Sequence, residues 1–380
     1  MLFKHRVLLA VRRAAFRIQR RRIRRAHGWR KAYLTHLCIS NPDYKKRPPR
    51  SLYADSFCRR FSDARAAGLF LPFPRACYLM DYLLAHLTIG AGDDNYFYFL
   101  FFRRGWFYRN TCITSRRQSF ISRHVNNPAM LPMLNDKALF AEHWSKFFAR
   151  PFCRLPDASV TRESFAARFS ECGKLVVKPI AGLAGNGLRI LDAYDRLSDI
   201  YDELCAAGEA VIVEAYIEQT GALHDINPSS MNTLRVLTLR DGDQIRVLSA
   251  ILRAGGEGAL IDNLHAGGIG YSVHPETGRV YRGISMTGRT TAVHPSSGIR
   301  VTDTIVPRWA EVCRFCTDAH LHAPHGLEYI GWDVCVCEDA LYMIEGNGNP
   351  GAAPALSGQN LWKTMRCYLD AHENELYDLR

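Results

Sequence analysis

The stretch that most constrains the fold is a hairpin pattern near the C-terminus, residues 329–347. Apolar residues alternate with other residues on both sides of Glu338-Asp339-Ala340. This pattern is typical of two strands joined by a short turn. A turn centred on residue 339 places Asp333 directly opposite Glu345.

Two carboxylates in such a position need a positive charge between them. Side chains directly opposite each other in an antiparallel pair have Cβ atoms about 5 Å apart, and like charges at that separation are destabilising. Asn347 lies two residues beyond Glu345 and therefore on the same face. Oxygen ligands of this kind suit Mg²⁺, which shares its coordination shell with substrate phosphates. A surface hairpin with scattered acids is the alternative.

The net charge of +12 is confined to one end of the chain. Residues 1–42 contain 12 Lys or Arg and no acid, so the remainder has 37 basic and 37 acidic residues. Apolar residues are interleaved with these bases, which predicts a basic amphipathic arm that contacts an anionic membrane surface. A nucleic-acid contact, a transit peptide, a solvated helix and a disordered tail are alternatives. Because the body is neutral, a nucleic-acid contact would depend on this arm alone, and nucleic acid is not the expected partner.

Residues 43–125 are expected to form a mostly helical N-terminal cap. An apolar run that begins at Arg75 ends at Gly90-Ala-Gly92. The aromatic run 96–102 stops at Arg103-Arg104, far short of the roughly 20 apolar residues that a bilayer requires. A buried helix or strand is therefore favoured over a membrane-interface segment.

Twelve cysteines are spread over the chain, which favours reduced thiols in a cytosolic enzyme. Cys313-Arg-Phe-Cys316 is a CxxC pair, but Cys335 and Cys337 have the wrong spacing for a usual zinc knuckle. We interpret the latter two as packing residues, with a four-thiolate site as the alternative. The turn at residue 339 predicts two cross-strand pairs, Cys335 with Met343 and Cys337 with Leu341.

Two segments supply candidate phosphate ligands. Lys137 lies in the first turn of a helix that begins with Asn135-Asp136. Lys178 ends a β-branched strand, and residues 181–188 follow it with three glycines, whose backbone can approach a phosphate closely. The order and spacing fit neither a protein kinase, nor a P-loop, nor a dinucleotide-binding fold. An ordinary hairpin is the alternative.

Further strands carry isolated charges. Glu214 lies where an apolar strand, residues 210–218, becomes polar, and residues 232–253 form a hairpin with its turn at residues 241–243. Arg235 shares its strand face with leucines, where a charge is costly unless it is paired. It is therefore a candidate for gripping a phosphate, or for a salt bridge to Glu257 or Asp262. In the glycine-rich turn that follows, His265 is either a ligand-side donor or a satisfied core residue.

The order of these parts resembles the ATP-grasp superfamily. The resemblance covers roughly residues 90–360 and is closest to the sugar-transfer-associated branch, which is linked to cell-surface polysaccharide synthesis. It rests on four segments: Asn135-Asp-Lys137, Asn232-Thr-Leu-Arg235, Asp262-Asn-Leu-His-Ala-Gly-Gly268 and Gly331-Trp-Asp333 with Glu345-Gly-Asn347.

The resemblance implies an α+β fold in which two α+β subdomains clasp ATP, with an N-terminal helical segment added. The catalytic domain would span residues 126–378, with a lid at about residues 160–220. Asp333, Glu345 and Asn347 would bind two Mg²⁺ ions, and Arg235 and Lys178 would be catalytic. The implied nucleotide-binding residues are Lys137, Lys178, Gly182, Gly185, Asn186, Gly187, Glu214, Ala215, Tyr216, Glu218, Asn232 and His265.

The implied reaction is ATP-dependent activation of a small-molecule carboxylate as an acyl phosphate, followed by attack of an amine. The substrates would be derived from sugars or amino acids. The enzyme would be cytoplasmic, at the inner face of the membrane through residues 1–42. The alternative is a non-catalytic nucleotide-binding scaffold or regulator at the membrane.

Overall fold

The structure is a computed structural model that describes residues 21–39, 52–180, 187–259, 262, 264, 267–285, 287–351 and 361–379. Residues 1–20 of the basic arm lie outside this part of the chain. Of the predicted nucleotide ligands, Gly182, Gly185, Asn186 and His265 also lie outside it.

The N-terminal third is helical, as predicted. Gly90 ends the third helix with φ of 69°, a left-handed conformation that favours glycine. The aromatic run 96–102 contributes to a buried cluster with Phe57 and Tyr82, which confirms the buried alternative. The helices are Gly28–Ile39, Leu52–Ala66, Arg75–Ile89, Asp93–Tyr98, Trp106–Arg109 and Ser115–His124, with a 3₁₀ turn at Phe101–Arg103.

The second half of the basic arm is packed against the protein body. In the helix Gly28–Ile39, Trp29 and Tyr33 are buried against Phe120 and Trp362. The Trp29 indole nitrogen donates to Asp370 at 2.9 Å. This helix joins the N-terminus to the C-terminal helix by burial of aromatic surface, which dominates packing energetics in cores.

A four-stranded antiparallel sheet forms the smaller layer. Its order is β1-β4-β2-β3. The helices Arg162–Arg168 and Leu197–Ala207 cover one face, burying Phe165 and Leu204 against Val177. The strands are β1 (Phe152–Leu155), β2 (Lys174–Pro179), β3 (Arg189–Asp192) and β4 (Val211–Ala215).

A seven-stranded antiparallel sheet forms the larger layer, in the order β11-β10-β5-β6-β7-β8-β9. The predicted hairpin of residues 232–253 is its β5–β6 pair. The strands are β5 (Thr233–Asp241), β6 (Gln244–Ala254), β7 (Ile269–Val273), β8 (Val280–Ser285), β9 (Thr290–Thr291), β10 (Tyr329–Val336) and β11 (Leu341–Asn347). The remaining helices are Pro132–Asn135, Lys137–His143, Ser145–Phe148, Ala222–Ile226, Trp309–His322 and Leu361–Ala371, with a 3₁₀ turn at Glu373–Glu375. The α+β fold class with N-terminal helices is thus confirmed.

The C-terminal hairpin exists, but its register differs in part from the prediction. The turn is shorter, because the Cys337 amide donates to the Ala340 carbonyl at 2.9 Å. A bulge between Asp333 and Val334 takes up one residue, so Asp333 still pairs with Glu345. The predicted cysteine pairs are wrong: Cys335 lies opposite Tyr342, and Leu341 pairs with Val336. A bulge adds one residue to one strand and shifts every pair on one side of it.

No helix among the described residues is long and apolar enough to cross a membrane.

Candidate functional site

The hairpin β10–β11 carries three predicted metal ligands at adjacent positions. Asp333 pairs with Glu345, and Gly331 pairs with Asn347. The Asn347 side-chain nitrogen donates to Glu345 Oε1 at 3.2 Å. Asp333 is buried, whereas the side chain of Glu345 is 37% exposed. Asp333, Glu345 and Asn347 therefore lie together, with Asp333 fully buried and Glu345 half-buried.

Two arginines hold the Asp333 carboxylate. Arg235 lies opposite Asp333 on the neighbouring strand β5 and binds both of its oxygens, with Nη2 at 2.7 Å from Oδ2. Arg253, at the end of β6, donates to the same Oδ2 at 2.7 Å. The prediction that Arg235 pairs with Glu257 or Asp262 is wrong, because β10 inserts beside β5 and brings a closer carboxylate.

The arginines act unequally on the two facing carboxyls. Burial alone would raise the pKa of Asp333, but the charges of Arg235 and Arg253 outweigh it and hold that pKa at about 2. Burial and the charge of Asp333 raise the pKa of Glu345, and Arg235 is farther from Glu345, at 3.6 Å. Glu345 is therefore the carboxyl whose charge remains least compensated.

A third carboxyl, Asp262, lies on the other side of Arg253. Its carboxylate is 3.4 Å from the Arg253 guanidinium and accepts from the Thr233 amide at 3.0 Å. Burial raises the pKa of Asp262 despite the charge of Arg253. We call the group Arg235, Arg253, Asp262, Asp333 and Glu345 the carboxylate cluster.

Glu214 is the centre of a second charged group. It is buried on β4, where Lys178 of β2 and Arg150 each approach its carboxylate to 2.8 Å. Burial alone would raise the pKa of Glu214, but the charges of Lys178 and Arg150 lower it. Arg150 also donates to the Met343 carbonyl on β11 at 2.9 Å, so the two charged groups adjoin.

Lys137 is the next cation beside this group. Asp136 caps its helix by accepting from two backbone amides, as the sequence predicts. Lys137 Nζ donates to the carbonyls of Pro179 and Ile180, just after Lys178. Burial and the charge of Lys178 lower its pKa, although Glu345 opposes the shift. We call Lys137, Arg150, Lys178 and Glu214 the lysine cluster.

The other predicted nucleotide ligands lie at different depths. Ala215 at the end of β4 and Tyr216 after it are half-buried, and Glu218 is exposed. Gly187, with φ of 78°, lies beside Pro179. Asn232 is fully buried, and its amide donates to the carbonyls of Leu223 and Asn227, so it holds the preceding loop in place. Any contact of these residues with a nucleotide stays a prediction.

A small apolar cluster lies beside the segment after β4. It consists of Ile217, Cys335 and Cys337, with Met231, Tyr342 and Ile344 packed against it. The two cysteines are thus packing residues, as interpreted from the sequence. A hydrogen bond from the neighbouring Cys335 lowers the pKa of the Cys337 thiol to about 6.

The four-thiolate alternative fails. Among the described residues, which include Cys313, Cys316, Cys335 and Cys337, no group of three or more His, Cys, Asp or Glu side chains could hold a metal ion. The predicted Mg²⁺ ligands are two carboxylates and one amide, a set of a different kind.

The residues at the hairpin fit Mg²⁺. Asp333 and Glu345 face each other across the hairpin, and the two arginines hold Asp333 in the ionised form. Glu345 is half-buried with a weaker cationic contact, and Asn347 adds an uncharged oxygen. Hard oxygen donors of this kind are those that Mg²⁺ prefers.

Sequence reasoning missed two residues, Arg150 and Arg253. Arg253 ends the apolar run of β6, where a lone charge needs a buried partner, so the rule that selected Arg235 could have selected it also. Arg150 follows a pair of phenylalanines outside any strand, and no local pattern marks it.

The chain matches the family model described as sugar-transfer associated ATP-grasp over residues 115–365. No curated protein matches. Similar solved structures are D-alanyl-alanine synthetase A from Vibrio cholerae O1 biovar eltor (12% identity, 68% of this chain and 72% of that chain, TM-score 0.41), D-alanine–D-alanine ligase from Bacillus anthracis complexed with ATP (16%, 66% and 71%, 0.39), and the ATP-grasp ligase PsnB complexed with a minimal precursor (18%, 64% and 63%, 0.37).

Proposed function

The chain belongs to the sugar-transfer-associated ATP-grasp family, and from that premise we propose that it is an ATP- and Mg²⁺-dependent ligase. It activates a substrate carboxylate as an acyl phosphate for attack by an amine. In the first step a carboxylate oxygen bonds to the γ-phosphorus and ADP leaves. In the second step the amine nitrogen bonds to the acyl carbon, inorganic phosphate leaves, and the amine loses a proton.

The observation that carries this proposal is the opposite charge balance of two adjoining clusters. The lysine cluster has three cationic side chains and one carboxylate, which suits the phosphates of ATP. The carboxylate cluster has two guanidiniums and three carboxyls, and Asn347 beside it adds the third oxygen donor of the proposed Mg²⁺ ligands Asp333, Glu345 and Asn347. Mg²⁺ bound there would neutralise charge on the transferring phosphoryl group.

The predicted metal-binding, phosphate-binding and catalytic residues have the following roles in this proposal. Glu345 and Asn347 hold Mg²⁺ with Asp333, and Lys137 and Lys178 hold phosphate oxygens. Arg235 is assigned to the γ-phosphate and the acyl phosphate, because among the described residues its Nη1 donates only to the Pro350 carbonyl, at 3.1 Å. Residues 213–216 would line the adenine, and Glu218 would contact the ribose. Two ions with Glu345 as a bridge are the proposed stoichiometry.

The direct test is Glu345→Gln, which removes one negative charge without changing the side-chain shape. We expect ADP release with a panel of amino acids and sugar acids to fall by at least about 10²-fold, the scale measured for loss of one transition-state stabilising group. Mass spectrometry of the same mixtures identifies the conjugate. Retained turnover in this variant would contradict the proposal.

Glu338→Gln is the matched control. Glu338 lies on the exposed turn of the same hairpin, so its loss removes the same charge from the same element without touching the site. It should turn over ATP at the wild-type rate.

A substrate from cell-surface polysaccharide or envelope glycan synthesis is part of this proposal, supported only by the family's description. Cytoplasmic location and a membrane contact of residues 1–42 are likewise proposed. A non-catalytic nucleotide-binding scaffold is the second candidate. It predicts nucleotide binding without ADP release for every member of the panel, an outcome that separates it from the ligase.

A further inference from the structure

Two loops of the N-terminal helical region expose large aromatic side chains. Phe107 is 88% exposed, Phe70 73%, Phe73 63% and Trp106 37%. Phe70 and Phe73 lie between the helices Leu52–Ala66 and Arg75–Ile89, and the other two begin the short helix Trp106–Arg109. Large exposed apolar groups that cluster mark an interaction surface, whereas scattered ones need no explanation.

Direct contacts join the two loops into one surface. Arg103 donates to the Phe70 carbonyl at 3.3 Å. The rings of Phe73 and Phe102 both pack against Tyr78, with centroids 6.2 and 5.8 Å from it. We call Phe70, Phe73, Arg103, Arg104, Trp106 and Phe107 the aromatic-arginine surface.

The scaffold beneath this surface is tightly packed. Tyr78, Tyr96 and Phe101 belong to one buried aromatic cluster, and Leu69 and Leu71 pack against it from the first loop. Arg109 is buried below Trp106, where it forms two hydrogen bonds with Asp81 at 2.8 and 2.9 Å. The buried residues beneath this surface therefore hold the exposed rings toward solvent.

The charge around the exposed rings is uniformly positive. Residues 64–80 and 95–135 contain no Asp or Glu, and Arg103 and Arg104 are exposed between the aromatic positions. The nearest acid in these contacts, Asp81, is neutralised by Arg109. Both exposed arginines stack over rings, Arg103 over Phe102 and Arg104 over Tyr108, which keeps their charged ends beside the aromatic surface.

We propose that the aromatic-arginine surface docks the protein on an anionic lipid bilayer. Aromatic rings partition into the headgroup region of a membrane, where Trp and related side chains are enriched. Arginines at the same level attract anionic headgroups while their stems cover apolar surface. The two segments that carry these rings contain cations and no acid, which is the charge complement of anionic lipid headgroups. This surface goes beyond the proposed ligase activity and is separate from residues 1–42.

The test is cosedimentation of the full chain with vesicles of phosphatidylcholine and phosphatidylglycerol. We expect Phe70→Ser/Phe107→Ser to weaken partitioning by about 100-fold, roughly tenfold for each ring. Arg103→Gln/Arg104→Gln should weaken it by about 25-fold at low salt, about fivefold for each charge. Tyr194→Ser, which removes an aromatic side chain 75% exposed elsewhere, should leave it unchanged.

A second readout locates the contact. Trp106 quenching by brominated lipid should disappear in Trp106→Phe, which keeps an aromatic ring and hence most of the vesicle binding. Because all the changed side chains are exposed, Tm should stay at the wild-type value.

Four results would overturn the proposal. The first is no binding of the wild type to anionic vesicles, and the second is equal binding to vesicles of phosphatidylcholine alone. The third is wild-type affinity for the anionic vesicles in both Phe70→Ser/Phe107→Ser and Arg103→Gln/Arg104→Gln, which would assign the binding to residues 1–42. The fourth is a wild-type dimer that Phe107→Ser converts to a monomer, which would make the surface a contact between copies of this chain.

Discussion

The lysine cluster and the carboxylate cluster adjoin each other but solve the burial of charge in opposite ways. In the first, one carboxylate, Glu214, has two cations at 2.8 Å and a lowered pKa. In the second, two guanidiniums converge on Asp333, while the pKa values of Asp262 and Glu345 are raised. The lysine cluster therefore has an excess of positive charge and the carboxylate cluster an excess of negative charge. Under the proposed function, the phosphates of ATP would neutralise the first excess and Mg²⁺ the second.

Removal of Asp333 should produce the largest difference between the two clusters. Asp333→Ala should lower the free energy of unfolding by roughly 3–5 kcal/mol, the usual cost of removing one partner of a buried ion pair, because Arg235 and Arg253 would remain buried without it. Urea unfolding at pH 7 measures this. Glu345→Ala, on the facing strand, should cause a smaller loss because its ion-pair contact with Arg235 is longer, at 3.6 Å, and its side chain is half-buried. Equal losses of unfolding free energy in Asp333→Ala and Glu345→Ala would contradict the stronger pairing of Asp333.

Removal of Lys178 tests whether the lysine cluster binds ATP. Lys178→Met should weaken ATP binding by roughly 10- to 100-fold, the size of a charge-assisted hydrogen bond worth about 1.5–3 kcal/mol. Glu214 keeps Arg150, so the fold should persist. Isothermal titration calorimetry with ATP and Mg²⁺ provides the measurement. Lys146→Met, which removes an exposed lysine from a neighbouring helix, is the control and should bind ATP like the wild type.

The smallest expected effect is a pH dependence at Glu345. Burial and the charge of Asp333 raise its pKa, so the folded protein holds the proton more tightly than the unfolded chain does. Its stabilising contribution is therefore complete below the ordinary pKa of 4.5 and is lost as pH rises through the higher folded value. Wild type should lose stability relative to Glu345→Gln as pH rises from about 4 to 8.

Urea titrations of both proteins at each pH, without metal, measure this difference. Under the proposed function, added Mg²⁺ should oppose the loss in wild type and leave Glu345→Gln unaffected, because the carboxylate proposed to bind the ion is absent there. Parallel pH profiles for the two proteins would contradict the raised pKa.

Much of the local structure followed from residue patterns. Alternation and the turn residues 241–243 predicted the β5–β6 hairpin, and Asp136 predicted the start of the helix that carries Lys137. The C-terminal hairpin was predicted with Asp333 opposite Glu345, but the cysteine pairs beyond the bulge were wrong. The bulge and the shorter turn compensate each other from Asp333 to Gly331, and alternation alone does not reveal a single unpaired residue.

The sequence by itself determined the hairpins, the segments that carry the candidate ligands and the family to which the chain belongs. Only the tertiary structure decided which cation faces which carboxylate, because β10 inserts between β11 and β5, and Arg235 and Asp333 are 98 residues apart. Hairpin pairing depends on a few adjacent residues. Strand order depends on how whole sheets bury their apolar faces, so a charge on one strand finds its partner only when the complete core has formed.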